Sequence, residues 1–214
     1  MPNQICVLGR SSLIAALFLL AGCAPVYQVA KPDADTAMLP TNVEVKPEEI
    51  KTYQPSPVAQ RVRFVLLRTA SGGLNTEPYN EFVFKALREL GITEIMSRDE
   101  FMRMVIDSPL RDTVGNATDP VALSKINDAV GPFIIVDAVQ LNAGGAWYET
   151  RLRVTDPARA EVLLDLHRLR ANWSNLDKEV NYPVLNVLKR WFDESKALPD
   201  QPAAERESVP KTEI

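Results

Sequence analysis

The spacing of apolar positions changes repeatedly along the chain, and each change marks an element boundary. Arg61-Val62-Arg63-Phe64-Val65-Leu66-Leu67-Arg68 begins by alternating, which predicts a strand, and Ser71-Gly72-Gly73 breaks it. Tyr79, Phe82, Val83, Ala86, Leu87 and Leu90 recur at helical spacing, with Pro78 near the start and Gly91 just past the end. Residues 92–96 read as a short strand that runs into Ser97-Arg98-Asp99-Glu100, a capping-box pattern opening a helix through Ile106. Asp119-Pro120 supplies a cap and a first-turn proline for a helix carrying Leu123, Ile126 and Val130, which Gly131 stops. The run 133–139 is almost continuously apolar, as for a strand covered on both faces. After the turn Asn142-Ala143-Gly144-Gly145, residues 147–154 and 162–173 form a hairpin joined through Asp156-Pro157-Ala158-Arg159. Val184, Leu185, Val187, Leu188, Trp191 and Phe192 give one apolar face to a last helix, entered near Pro183. The order is β-α-β-α-α-β-β-β-α, an α/β (α+β) domain over 61–197. A mixed sheet of about five strands with helices packed on it is its economical form, because each helix has one stripe to bury.

Outside that unit the periodicity lapses. Residues 13–20 are an apolar run behind Arg10, too short for the ~20 helical residues that span a bilayer but suited to the core of a secretory signal. From Ala24 to Gln60 prolines stand at 25, 32, 40, 47, 55 and 57, and the apolar residues keep no period. Residues 23–60 are expected to form an extended tether; an arm packed along the domain through Ile50 and Tyr53 is the alternative. Residues 198–214, with three prolines and many charges, are expected to be a disordered tail.

Composition narrows the function. With 46% hydrophobic and 24% charged residues the chain is ordinary for a globular protein, and a net charge of -4 lacks the clustered cations that nucleic acid demands. The chain has two cysteines, Cys6 and Cys23, and one histidine. If Cys6 leaves with a signal and Cys23 is modified, no disulfide can form, and a His/Cys metal site lacks ligands.

The run ends in Leu20-Ala21-Gly22-Cys23, which resembles the lipobox of bacterial lipoproteins. That resemblance implies cleavage after residue 22, with Leu20, Ala21 and Gly22 read by the signal peptidase. It also implies attachment of diacylglyceryl and further acyl chains (palmitate) through Cys23, which several chains would make effectively permanent. Ala24, not aspartate, follows the cysteine, and by resemblance to enterobacterial sorting this favours the outer membrane, facing the periplasm. The domain has its own likeness. A helix ending Leu90-Gly91, then Ser97-Arg98-Asp99-Glu100-Phe101, then the strand Ala129-Val130-Gly131-Pro132-Phe133-Ile134-Ile135-Val136-Asp137 and a hairpin turning at Asp156 resemble one periplasmic domain. It is similar to that of curli-secretion lipoproteins, the amino-terminal domain of TolB, and lipoprotein activators of penicillin-binding proteins. The likeness covers 61–193 and implies that α/β fold, which serves secretion, scaffolding and activation alike. Curli-type channels insert long amphipathic hairpins into the membrane. Here the hairpin is interrupted by Arg151, Arg153, Asp165, Arg168 and Arg170, which argues against a pore.

Candidate chemistry is sparse. His167 lies on a strand beside Asp165, on a face with Leu163, Leu169, Ala171 and Trp173, but i, i+2 neighbours are some 6–7 Å apart and read as a surface pair. The glycine pairs 72–73 and 144–145 match no phosphate-loop spacing. Asp99 with Glu100, and Asp177 with Glu179, are acidic pairs; the first sits where negative charge suits a helix start. No catalytic constellation emerges, so no enzyme activity and no cofactor are expected. The aromatics Trp147, Tyr148, Trp173, Tyr182 and Trp191, near Arg151, Arg153, Arg168 and Arg170, suggest a protein-binding face centred on Trp147, Arg151 and Arg153. Tryptophans closing the core, with arginines solvating the outer sheet, are the alternative. The sequence thus reads as a non-enzymatic envelope lipoprotein, held to the membrane by lipid and engaging a protein partner. An oligomeric export or surface-assembly subunit is the rival reading.

Overall fold

The computed structural model describes residues 28–72, 76–112, 114, 116–172, 174 and 176–199. Local chemistry sets most boundaries where the sequence puts them. Helix α1 (Thr76–Glu89) buries Tyr79, Phe82, Val83, Ala86 and Leu87 on one stripe, and Gly91 turns the chain away at φ +80°. Helix α2 (Arg98–Ile106) follows strand β3 (Ile95–Ser97) with no linker, because Ser97 caps it. The Ser97 hydroxyl accepts from the Glu100 amide at 3.2 Å, and the Glu100 carboxylate accepts from the Ser97 amide at 2.7 Å. Asp119 accepts from the Val121 and Ala122 amides to start α3 (Pro120–Val130). Gly131 ends it at φ +94°, and a Cβ there would come within 2.7 Å of the Arg63 side chain.

Among the described residues, six strands make one mixed sheet in the order β1-β6-β5-β4-β2-β3. Strand β2 (Phe64–Gly72) runs parallel to β3 and to β4 (Phe133–Gly144); β4, β5 (Trp147–Asp156) and β6 (Glu161–Ala171) form an antiparallel meander. Helices α1 and α4 (Lys178–Ala197) cover one face along with Leu152, Val154, Leu164 and Leu166. The other face carries α2 and α3 only over the first halves of β2 and β4, where Phe64 stacks on Phe133 with ring centroids 5.0 Å apart and Phe101 tilts against them.

Three expectations change. The sheet has a sixth strand, because β1 (Ile50–Tyr53) pairs antiparallel with β6 through Ile50–Leu166 and Tyr53–Leu164. Residues 28–60 are accordingly not an extended tether but an arm packed on the domain. Leu39 is 1% exposed, and its backbone N–H and C=O are both bonded by the Asn186 side chain at 2.8 and 2.9 Å. Ala30 donates to the Tyr182 hydroxyl, Gln54 accepts from the Trp191 indole, and the Ser56 amide donates to Ser195, so α4 holds the arm along its length. Finally, α4 begins at Lys178, capped by Asp177, and Pro183 lies inside it. The proline removes one backbone donor from the helix interior, yet Val180, Tyr182 and Val184 on either side are buried, and that packing holds the turn. The tail beyond residue 199 lies outside the described residues, while Leu198 is tied back by the Gln60 amide.

Candidate functional site

Strand parity decides which of the hairpin's side chains share a face. On β5, Leu152 and Val154 point into the core, so Trp147, Glu149, Arg151 and Arg153 point the other way, where no helix among the described residues covers them. The register places these opposite Ala171, Leu169, His167 and Asp165 of β6, and opposite Gly144, Leu141, Val139 and Asp137 of β4. Trp147, Arg151 and Arg153 therefore do lie on one open face, the continuation of the surface that α2 and α3 cover only in part.

The first row across this face alternates in charge over four strands: Arg68, Asp137, Arg153, Asp165. Arg68 grips Asp137 with two parallel hydrogen bonds at 2.6 and 2.7 Å, and Arg153 donates to Asp165 at 3.1 Å. In the next rows Arg151 pairs with Glu149 two residues back, and His167 Nε2 stands 2.9 Å from the same carboxylate. Burial alone would raise the Glu149 pKa. The hydrogen bond and charge of Arg151, reinforced by His167, outweigh it and hold the carboxyl below its ordinary range. The conceivable Asp165–His167 pair is thus not the one formed: Asp165 serves Arg153, and His167 leans on Glu149. Toward the hairpin's far end the charges give way to Leu141, Val139, Leu169 and Trp147, the last two 49% and 50% exposed. The face is thus a charge-balanced ladder with an apolar end.

Sequence reasoning grouped Arg168 and Arg170 with this face; the structure puts them on the other one. Both have the parity of Leu164 and Leu166, and the Arg168 side chain is fully buried under the arm. Of the aromatics singled out, Trp191 and Tyr182 are buried in the core, Tyr148 is half-buried, and Trp147 alone among the described ones is exposed. Trp173, and the lipobox residues Leu20, Ala21, Gly22 and Cys23, lie outside the described residues. Leu163, expected beside His167, is buried with the helices at a bulge that shifts the β5–β6 register after Val154. The acidic pairs are caps: Glu100 completes the α2 box, and Asp177 opens α4. Arg68 and Asp137 were missed as site residues. Asp137, the one charge in an apolar run, was the available signal.

No protein-family model matches the chain, and no curated protein matches it. Among solved structures it is similar to the LpoB C-terminal domain from Salmonella enterica, at 16% identity over 52% of this chain and 84% of that one, with a TM-score of 0.33. It is also similar to lipoprotein GNA1162 from Neisseria meningitidis, at 14% identity over 64% and 99%, with a TM-score of 0.35. A third is a PelC dodecamer from Paraburkholderia phytofirmans, at 9% identity over 70% and 94%, with a TM-score of 0.36.

Proposed function

We propose that this is a lipid-anchored, non-enzymatic binding protein of the bacterial envelope, cleaved before Cys23, lipidated there, and engaging an envelope protein through the open face of β4, β5 and β6. The face itself carries the reading: a sheet surface that no helix of the described residues covers, with Trp147 and Leu169 half exposed beside internally paired charges. An antiparallel sheet can present one face to water, but exposed tryptophan and leucine together with arginine are what protein interfaces concentrate. Outer-membrane attachment facing the periplasm follows from Ala24 by the sorting resemblance.

The packed arm sharpens the geometry of anchoring. Only five peptide units separate Cys23 from Gln28, a span of at most about 18 Å. Ala30 is already bonded to Tyr182 of the domain. A lipid at Cys23 would then hold the domain close against the bilayer, with the start of α4 nearest to it. Confinement of that kind raises the effective concentration toward a membrane partner without new contacts.

The rival reading, an oligomeric assembly subunit, has one observation in its favour. Under a two-fold axis parallel to the strands, the row Arg68, Asp137, Arg153, Asp165 is self-complementary, Arg68 facing Asp165 and Asp137 facing Arg153. A photo-crosslinking residue placed at Val139 or Leu169 in cells separates the readings. One discrete heterologous adduct, absent from a control position at Val121, supports partner binding, and a self-adduct supports assembly. The absence of any adduct from the open face refutes both. Mass spectrometry of the mature terminus, with fractionation of a Cys23→Ser variant, tests the anchor: an unmodified cysteine, or a variant that stays with membranes, overturns it.

A further inference from the structure

The covered face of the sheet carries a polar row where a core would be expected. Gln140, Thr150 and Arg168 are cross-strand neighbours on β4, β5 and β6, each 3% exposed or less. Asn181 of α4 closes one end by accepting from the Gln140 amide at 3.3 Å. The arm closes the other end: Arg168 donates through Nη2 to the Glu44 carbonyl at 3.4 Å. Glu49 Oε1 lies 3.6 Å from Arg168 Nε and 3.7 Å from Arg170 Nη2. Two guanidinium groups thus converge on one carboxylate oxygen, both just beyond hydrogen-bond distance, with one positive charge in excess. Arg168 Nε and Nη1, Arg170 Nε, Thr150 Oγ1 and Gln140 Oε1 are buried and make no hydrogen bond among the described residues. Burial, and then the like charge of Arg170, push the Arg168 pKa down against the pull of Glu49.

A buried arginine is tolerated when its donors are filled, and an unfilled one is costly. If Arg168 served only packing, an aliphatic residue would do better there. The arm that covers the row is also the segment leading to Cys23. Beside it, a cleft of about 640 Å³ between arm and α4 is walled by Glu44, Val45 and Ile50, the residues flanking the Glu49 contact.

We propose that Arg168, Arg170 and Thr150 form an oxyanion site, at which the arm's own Glu49, held through Oε2 by the Lys46 amide at 2.8 Å, reaches the two guanidinium groups only through long contacts, and which an external oxyanion takes over. The fork of a guanidinium suits a phosphate ester or a carboxylate-bearing chain equally, through two parallel N–H···O bonds. The site lies on the face opposite the charge ladder, so it stands or falls independently of the partner-binding face.

The test is a denaturation titration of the full-length protein in detergent, with inorganic phosphate or N-acetylglutamate replacing chloride at constant ionic strength. The midpoint is expected to rise with one of the two, and the stronger response identifies the class of ligand. Glu49→Gln removes the internal competitor and should bind the responding anion at least tenfold more tightly by calorimetry. Arg168→Leu should lose the response while keeping a chloride midpoint no lower than the parent's. Arg170→Gln, less buried, gives the same loss should Arg168→Leu fail to fold. No response to either anion in the parent and in Glu49→Gln overturns the proposal, as does an undiminished response in the arginine variants.

Discussion

Leu39→Ala tests whether the arm belongs to the fold. The Leu39 side chain is fully buried against α4, yet it comes from a proline-rich stretch with no element of its own. Leucine-to-alanine changes in cores cost about 2–5 kcal/mol, the lower values where the surroundings can close over the gap. An arm bordered by an open cleft can close, so about 2–3 kcal/mol is expected. Asn186→Ala removes the two bonds that grip the Leu39 backbone, at roughly 1 kcal/mol each. Because both changes loosen one residue, their costs should not add, and the double variant should fall short of the sum by at least about 0.5 kcal/mol. Urea denaturation followed by tryptophan fluorescence reads this directly, since Trp191 is buried and bonded to Gln54 at the arm's end. Native-state hydrogen exchange at the Leu39 amide gives a second measure. If Leu39→Ala changes stability by less than about 0.5 kcal/mol and that amide exchanges as in an open chain, the arm is a free tether and the reasoning fails.

Three other outcomes follow from the geometry. In liposomes, energy transfer from a dye near Lys178 to labelled headgroups should greatly exceed that from a dye at Ala158; equal transfer would show that the arm does not set the stand-off. Ser97→Ala should cost about 1 kcal/mol. The Ser97 amide, then its hydroxyl, hold the Glu100 carboxyl below its ordinary 4.5, so the box contributes fully above that pH and its contribution is lost as pH falls through the lower folded value. Stability of the alanine variant should therefore fall less steeply with acid below about 4.5, and an unchanged slope would contradict this. Trp147→Ala should weaken partner capture at least tenfold (about 1.4 kcal/mol) with little change in the urea midpoint, whereas a large drop in stability would make Trp147 a core residue.

What was legible in the sequence was whatever local chemistry controls. The α2 box, the Asp119 cap and the Gly91 and Gly131 stops need only neighbours a few residues away, and they fall where expected. The packed arm was legible only as an alternative, through Ile50 and Tyr53, which the structure pairs with β6 as β1; its other contacts are single side chains reaching backbone groups from about 140 to 150 residues away, and these leave no periodic trace. Pro183 misled for a related reason. Proline commonly opens a helix, whereas here Asp177 caps it six residues earlier and the proline sits inside. The placement of Arg168 fails on parity. Alternation along β6 was visible, but placing Arg168 beside Arg151 ignored that residues 165, 167 and 169 lie on one face and 164, 166 and 168 on the other.

The charge ladder on the open face does little to hold the fold together. Its pairs are partly exposed, and exposed pairs contribute about 0–1 kcal/mol each. Its effect is on what can approach. A surface in which every arginine is already matched to a carboxylate has no long-range pull, so encounter is not steered by net charge. A partner that docks flat must either keep the row intact or re-match it one charge at a time, and a shift of one strand would set like charges against each other. On the proposed partner-binding reading, affinity comes from the apolar end, where Trp147 and Leu169 can be desolvated at modest cost, while the ladder sets orientation. Reversing one rung separates the two effects. Arg153→Glu sets a third carboxylate between Asp137 and Asp165, so it should lower stability by about 1 kcal/mol and abolish the cross-link from Val139, and a reciprocal charge reversal in the captured partner should restore it. Capture that survives Arg153→Glu undiminished would mean that the row plays no part in recognition.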